Sequence, residues 1–120
     1  MKEIRINIFE LIASHAAVST TDGENLYERI KKAFDSKIKV ILDFNNIELI
    51  TSTFLNSSVG KLYGQYDLDF IREHLSVDNL SDDDLVLLKK VVDRAKEYFK
   101  EREKIDRAIE KALGEDDEDK

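Results

Sequence analysis

Polar and apolar residues first alternate along this chain. Glu3 to Phe9 reads Glu, Ile, Arg, Ile, Asn, Ile, Phe, and Ile4, Ile6 and Ile8 at period two predict a strand with one buried face. Glu10 to Val18 carries no clear period. The period then lengthens: Leu26, Ile30, Ala33 and Phe34 recur at helical spacing, with Glu28, Arg29, Lys31 and Lys32 between them. Thr21-Asp22-Gly23-Glu24 has capping-box spacing, so a helix is predicted from about residue 22 to 36 with Thr21 as its cap.

Ile38 to Phe44 is a β-branched run with little alternation, as expected of a central strand covered on both faces and parallel to a neighbour. Asn45-Asn46 suits a turn, and Ile47, Leu49 and Ile50 return apolar side chains to the core. Thr51-Ser52-Thr53 then precedes Phe54, Leu55, Val59 and Leu62 near helical spacing. The pattern predicts a hydroxyl-capped helix that runs to about Tyr63 and is ended by Gly64. A short helix over Asp67–His74 should turn Leu68, Ile71 and Leu75 inward, and a third strand is expected around Val77. Ser81-Asp82-Asp83-Asp84 is another capping box, with Leu80 and Leu85 at the staple positions. Its helix carries the stripe Leu85, Leu88, Val92, Ala95 and Phe99, expected to pack on the sheet; beyond Phe99 only Ile105, Ala108, Ile109 and Ala112 continue it.

Strand, helix, strand, helix, short strand, long helix describes a small α/β sheet covered by helices. With 120 residues there is room for one core. The predicted organisation is one domain over residues 1–113, with a core at about 3–100 and a helical extension at 101–113, followed by a disordered acidic tail at 114–120.

Charge changes this picture little. The net charge is −7, but GEDDEDK at the end holds five acids and one Lys, so the folded part is only mildly acidic. That balance disfavours a phosphate-backbone partner, and no nucleic-acid role is expected. No run approaches the ~18 apolar residues of a membrane span, and charges break the N-terminus as a secretory signal, so a cytoplasmic protein without membrane contact is expected. The chain has no Cys, which removes disulfides and thiol chemistry. His15 and His74 lack ligand spacing, Asp82-Asp83-Asp84 lacks a calcium-loop pattern, and the four glycines fit no phosphate loop. No metal, cofactor or catalytic set is expected.

The chemistry left concerns Thr51, Ser52 and Thr53. A helix N-terminus offers unpaired N–H groups and partial positive charge, so a phosphate on a hydroxyl there is stabilised. The plainer role of such hydroxyls is capping.

Several segments carry a resemblance: VILDF (Val40–Phe44), IELITSTFLN (Ile47–Asn56), GKLYG (Gly60–Gly64) and NLSDDDLVLLKKVV (Asn79–Val92). Through them Ser19–Phe99, about two-thirds of the chain, resembles the STAS-like family of unknown function and, more distantly, STAS-domain anti-sigma-factor antagonists. The resemblance implies a STAS-like sheet covered by helices. In the antagonists an Asp-Ser-Ser-Gly-Leu-Gly motif occupies the matching place, and a partner kinase of the histidine-kinase-like ATPase fold phosphorylates its first Ser. By position Ser52 matches that phosphoacceptor and Thr53 the second hydroxyl, while Thr51 replaces the Asp and Phe54 and Asn56 replace the glycines.

The function expected is a non-enzymatic regulatory protein-interaction module, switched by phosphorylation at the start of the second helix. Phe54, Leu55, Asn56, Ser57, Ser58 and Tyr63 would form its docking surface. The alternative is a self-associating structural or adaptor protein without phosphorylation, a homodimer joined through Ile105, Ile109 and Ala112. A small-molecule site ranks last, since no residue pattern specifies a ligand.

Overall fold

The structure is a computed structural model that describes residues 1–118, and the side chains of residues 1–114. The acidic tail expected over 114–120 overlaps the last helix, which is described as far as Glu118; residues 119 and 120 lie outside the described residues.

Three parallel strands form the main sheet in the order β1–β3–β5: β1 (Glu3–Asn7), β3 (Lys39–Asp43) and β5 (Leu75–Asp78). As the apolar run implied, β3 is central and pairs in parallel with both neighbours. Val40 and Leu42 are fully buried on it. A second, two-stranded parallel ladder joins β2 (Ala16–Ala17) to β4 (Leu49–Ile50). Helix α2 (Thr20–Asp35) connects β1 to β3, and α3 (Ser52–Leu55) and α4 (Leu68–His74) lie between β3 and β5. A π-helical segment, Asn56–Gly60, continues α3.

The first strand is shorter than its alternation suggests. At Ile8 the chain turns into α1 (Ile8–Ile12), because the Asn7 side chain accepts from the Glu10 N–H and caps a helical turn that still buries Ile8. The stretch that lacked a period holds the end of this helix, Ala13 at φ 55°, and β2. The cap of α2 lies two residues before the predicted one: Ser19 Oγ, not Thr21, accepts from the Asp22 N–H at 3.1 Å. Thr21 is exposed, and Glu24 faces Lys61 at 3.6 Å. Asn46 takes the left-handed conformation expected of its turn, at φ 68°.

Helix α5 (Asp82–Glu118) is capped as predicted, with Ser81 Oγ accepting from the Asp84 N–H. Its inner face differs from the expected stripe. Ala95 is buried and Leu88 and Val92 pack half-buried against the core as expected, but Leu85 is exposed and Val91 is buried in addition. The helix packs chiefly on α3 and the π segment. Gly60 lies close to Val91, and a Cβ at Gly64 would overlap the Phe99 ring. Gly64 has no positive φ, so it serves this close approach and is not a left-handed helix stop. Leu68 is likewise exposed where the spacing placed it inside, while Ile71 is buried. No helix among the described residues is long and apolar enough to cross a membrane.

Asp43, at the carboxyl end of β3, ties the three strand ends together. Its carboxylate accepts from Asn79 Nδ2 at 2.8 Å and from the Asn45 N–H at 2.9 Å, and pairs with Arg5 at 3.2 Å. Arg5 also reaches Asp78 at 2.9 Å. The Asn79 amide above all, then the Asn45 N–H and Arg5, hold the Asp43 carboxyl below its usual pKa against the cost of burial. A carboxylate whose pKa falls on folding stabilises the fold above its unfolded value of about 3.9, and the contribution fades as pH drops through the folded value. Asp43→Asn should therefore cost about 1–3 kcal/mol at neutral pH. Chemical denaturation across the acid range should show the gap between variant and wild type closing below about pH 4.

Candidate functional site

The predicted site begins where the β2–β4 ladder ends. The Thr51 N–H donates to the Ala17 carbonyl at 3.1 Å and extends that pairing by one bond. Its hydroxyl then donates to the Val18 carbonyl at 3.0 Å and accepts from the Phe54 N–H at 3.2 Å. One side chain thus joins two segments 33 positions apart and caps α3. Both roles of the hydroxyl are taken, so Thr51 is the structural member of the hydroxyl trio.

Ser52 is the first residue of α3 and half-buried; Thr53 follows it and is exposed. Neither hydroxyl is engaged by another described residue. The helical path continues through the π segment to Leu62, so Ser52 sits at the amino end of about three turns.

The docking surface expected from sequence is largely interior. Phe54, Leu55 and Ser58 are at most 1% exposed, and Ser57 is buried too. Their side chains fill the core between α2, the sheet and α5, and cannot meet a partner without unfolding the segment. Ser57 Oγ donates to the Thr53 and Phe54 carbonyls at 3.0 and 3.1 Å, and Ser58 Oγ donates to the Phe54 carbonyl at 2.8 Å. Hydroxyls that bond back to the previous turn compete with the α-helical ladder, and the backbone here widens to a π turn. Of the six predicted contact residues only Asn56 is exposed. Tyr63 is half-buried at the far end of the path, with Lys96 Nζ 5.9 Å from its ring centre, and burial pushes its phenol pKa up.

Two positions that sequence reasoning passed over hold the site in place. Val18 offers the carbonyl that Thr51 grips, and no side-chain pattern marks a backbone acceptor. Gly23, read as part of a capping box, is instead a contact glycine in α2: a Cβ there would overlap Ser57 Oγ and lie 2.7 Å from the Phe54 carbonyl oxygen. A lone Gly inside a helical pattern was the available signal.

His15 Nδ1 bonds to the Asn46 carbonyl at 2.7 Å and His74 Nδ1 to the Phe70 carbonyl at 2.9 Å. Among the described residues no group of three or more His, Asp or Glu is placed to hold a metal ion.

Gly23→Ala tests the contact between α2 and the π segment. Ala gains about 1 kcal/mol of helix propensity, but the clash with a backbone carbonyl should outweigh it and destabilise the protein by about 1–3 kcal/mol. Thermal unfolding should show part of that loss recovered in Gly23→Ala/Ser57→Ala, where one of the clashing atoms is gone.

With this geometry in place, the chain can be compared with known proteins. No curated protein and no solved structure matches it. A family model described as a STAS-like domain of unknown function (DUF4325) matches residues 22–85. That span runs from the first turn of α2 through β3, the Thr51–Gly60 segment and β5 into the start of α5. The chain belongs to this STAS-like family.

Proposed function

We propose that the protein is a non-catalytic regulatory module that docks on a protein partner and is switched by phosphate at Ser52, added by a histidine-kinase-like ATPase. The observation that carries this reading is the division of labour between adjacent hydroxyls. Thr51 caps the helix, which leaves the half-exposed Ser52 hydroxyl free to be modified without uncapping α3. A phosphate at the first helical residue lies beside the open N–H groups and the positive end of the helix dipole, so it is accommodated there. Family membership supports the fold on which this arrangement rests. The likeness to anti-sigma-factor antagonists supports the position of the acceptor.

The surface open to a partner is Ser52, Thr53 and Asn56, smaller than the spacing of the motif suggested. Added charge of about −1.5 to −2 at Ser52 would change that surface from neutral to strongly anionic, enough to release or recruit a partner. The module is read as non-catalytic because the hydroxyls of the segment that are engaged bond to backbone groups, with no His or carboxylate among the described residues held against them as a base.

The test is incubation with ATP and a histidine-kinase-like ATPase that binds the protein, followed by mass spectrometry of the 51–58 segment. Phosphate should appear on Ser52 and vanish in Ser52→Ala, whose melting temperature should stay within about a degree or two of wild type. Thr51→Val should instead lose about 1–2 kcal/mol of stability through the lost cap. Binding without phosphate on Ser52 or Thr53 would refute the switch and leave a constitutive docking module.

A further inference from the structure

Every residue of α5 from Lys100 to Leu113 is exposed. Tyr98, Ile105, Ile109 and Leu113 are between 54% and 61% exposed, and the helical period places all four on one flank. An unsupported helix of this length is marginal in water, and an uncovered apolar flank adds a further cost. Ala95, Tyr98, Arg102, Ile105, Ile109 and Ala112 are spaced alternately three and four residues apart, the seam of a two-helix coiled coil with one charged member.

Nearer the domain, the same flank borders a groove of about 300 Å³ between α5 and the π segment. Gly60 and Ala95 form its small-residue floor, with Tyr98 and Asn56 beside them. Its charged lining residues are Lys61 and Arg94, both basic, although Lys61 also faces Glu24. Charge along the sequence is divided to match. From Lys89 to Lys104 there are seven basic residues and four acidic; from Ile105 to Lys120 there are seven acidic and three basic.

We propose that this groove receives the C-terminal part of α5 from a second copy of the chain, the two helices crossing antiparallel about a two-fold axis near Glu103 and Lys104. In that register Tyr98 of one copy is level with Ile109 of the other, Ala95 with Ala112, and Arg102 with Ile105. Large residues then meet large ones, and small residues meet small ones over the Gly60 floor. The acidic end of each helix lies along the basic middle of its neighbour and against Lys61 and Arg94. A parallel pair would instead set the two acidic ends together, which like-charge repulsion opposes. The two-fold makes the exchange reciprocal, so each copy covers the flank of the other. This inference is independent of any modification at Ser52, although Asn56 belongs to both surfaces.

Sedimentation of the full chain at about 100 µM tests it, with a mass of twice 13.9 kDa expected. Ile105→Asp/Ile109→Asp should weaken the dimer at least tenfold and leave the fold of residues 1–99 unchanged by circular dichroism, since both side chains are exposed. A wild-type monomer at that concentration, or a dimer indifferent to the double substitution, would overturn the proposal. Carbodiimide cross-linking of mixed 14N and 15N protein reads the orientation. Inter-copy links from Lys61 or Lys96 to Glu110 or Glu115 support the antiparallel pair. Links confined to residues 105–120 of both copies would show a parallel pair and overturn it.

Discussion

The Thr51 hydroxyl is where the small β2–β4 ladder becomes a helix. It gives its proton to the Val18 carbonyl and takes one from the Phe54 N–H, so the end of one segment and the start of another share a single oxygen. Holding the Phe54 N–H in place sets the helix direction, and that direction drives Phe54 and Leu55 into the core. The same geometry leaves Ser52 and Thr53 toward solvent. A residue that could not both donate and accept at this point would break one of the two attachments. A carboxylate, as in the antagonist motif, is an acceptor only when ionised. The Thr here therefore ties down the preceding strand in a way that Asp cannot.

Two further contacts keep that helix start where it is. Asp43 gathers the carboxyl ends of β1, β3 and β5, so the sheet presents a fixed edge. Gly23 lets α2 press directly against the Phe54 carbonyl and Ser57. The back-bonded hydroxyls of Ser57 and Ser58 satisfy buried oxygens and open the backbone into a π turn. What looked like a hydroxyl-rich binding surface is thus mostly the means by which a tightly packed helix accommodates its neighbour.

The protein divides into a packed domain and a helix that leaves it. Val91, Ala95 and Phe99 secure α5 against α3 and the π segment, and Gly64 makes room for the Phe99 ring. Past that point the seam of α5 has no cover among the described residues. Asn56 connects the two halves of the functional reading, because it faces solvent near Ser52 and also lines the groove beside Tyr98. An occupant of that groove and a partner at Ser52 would be close neighbours.

Periodicity by itself determined the order of the main elements, the central parallel strand, the Ser81 cap and the α/β class, because each depends on local spacing and on how many apolar residues a face requires. The STAS-like resemblance was also carried by contiguous residues. Where competing hydroxyls lay a few positions apart, sequence could not decide, and tertiary contacts chose Ser19 over Thr21 as the cap of α2. The alternation of Ile4, Ile6 and Ile8 misled because Ile8 is buried as well by a helical turn as by a strand. Burial of the Phe54–Ser58 stretch was not legible either, since serines at helical spacing read as surface until Gly23 brings α2 against them. Asp43 stands next to last in the apolar run Ile38–Phe44. Its partners Arg5 and Asn79 are 38 and 36 positions away, and only the folded sheet brings them to it.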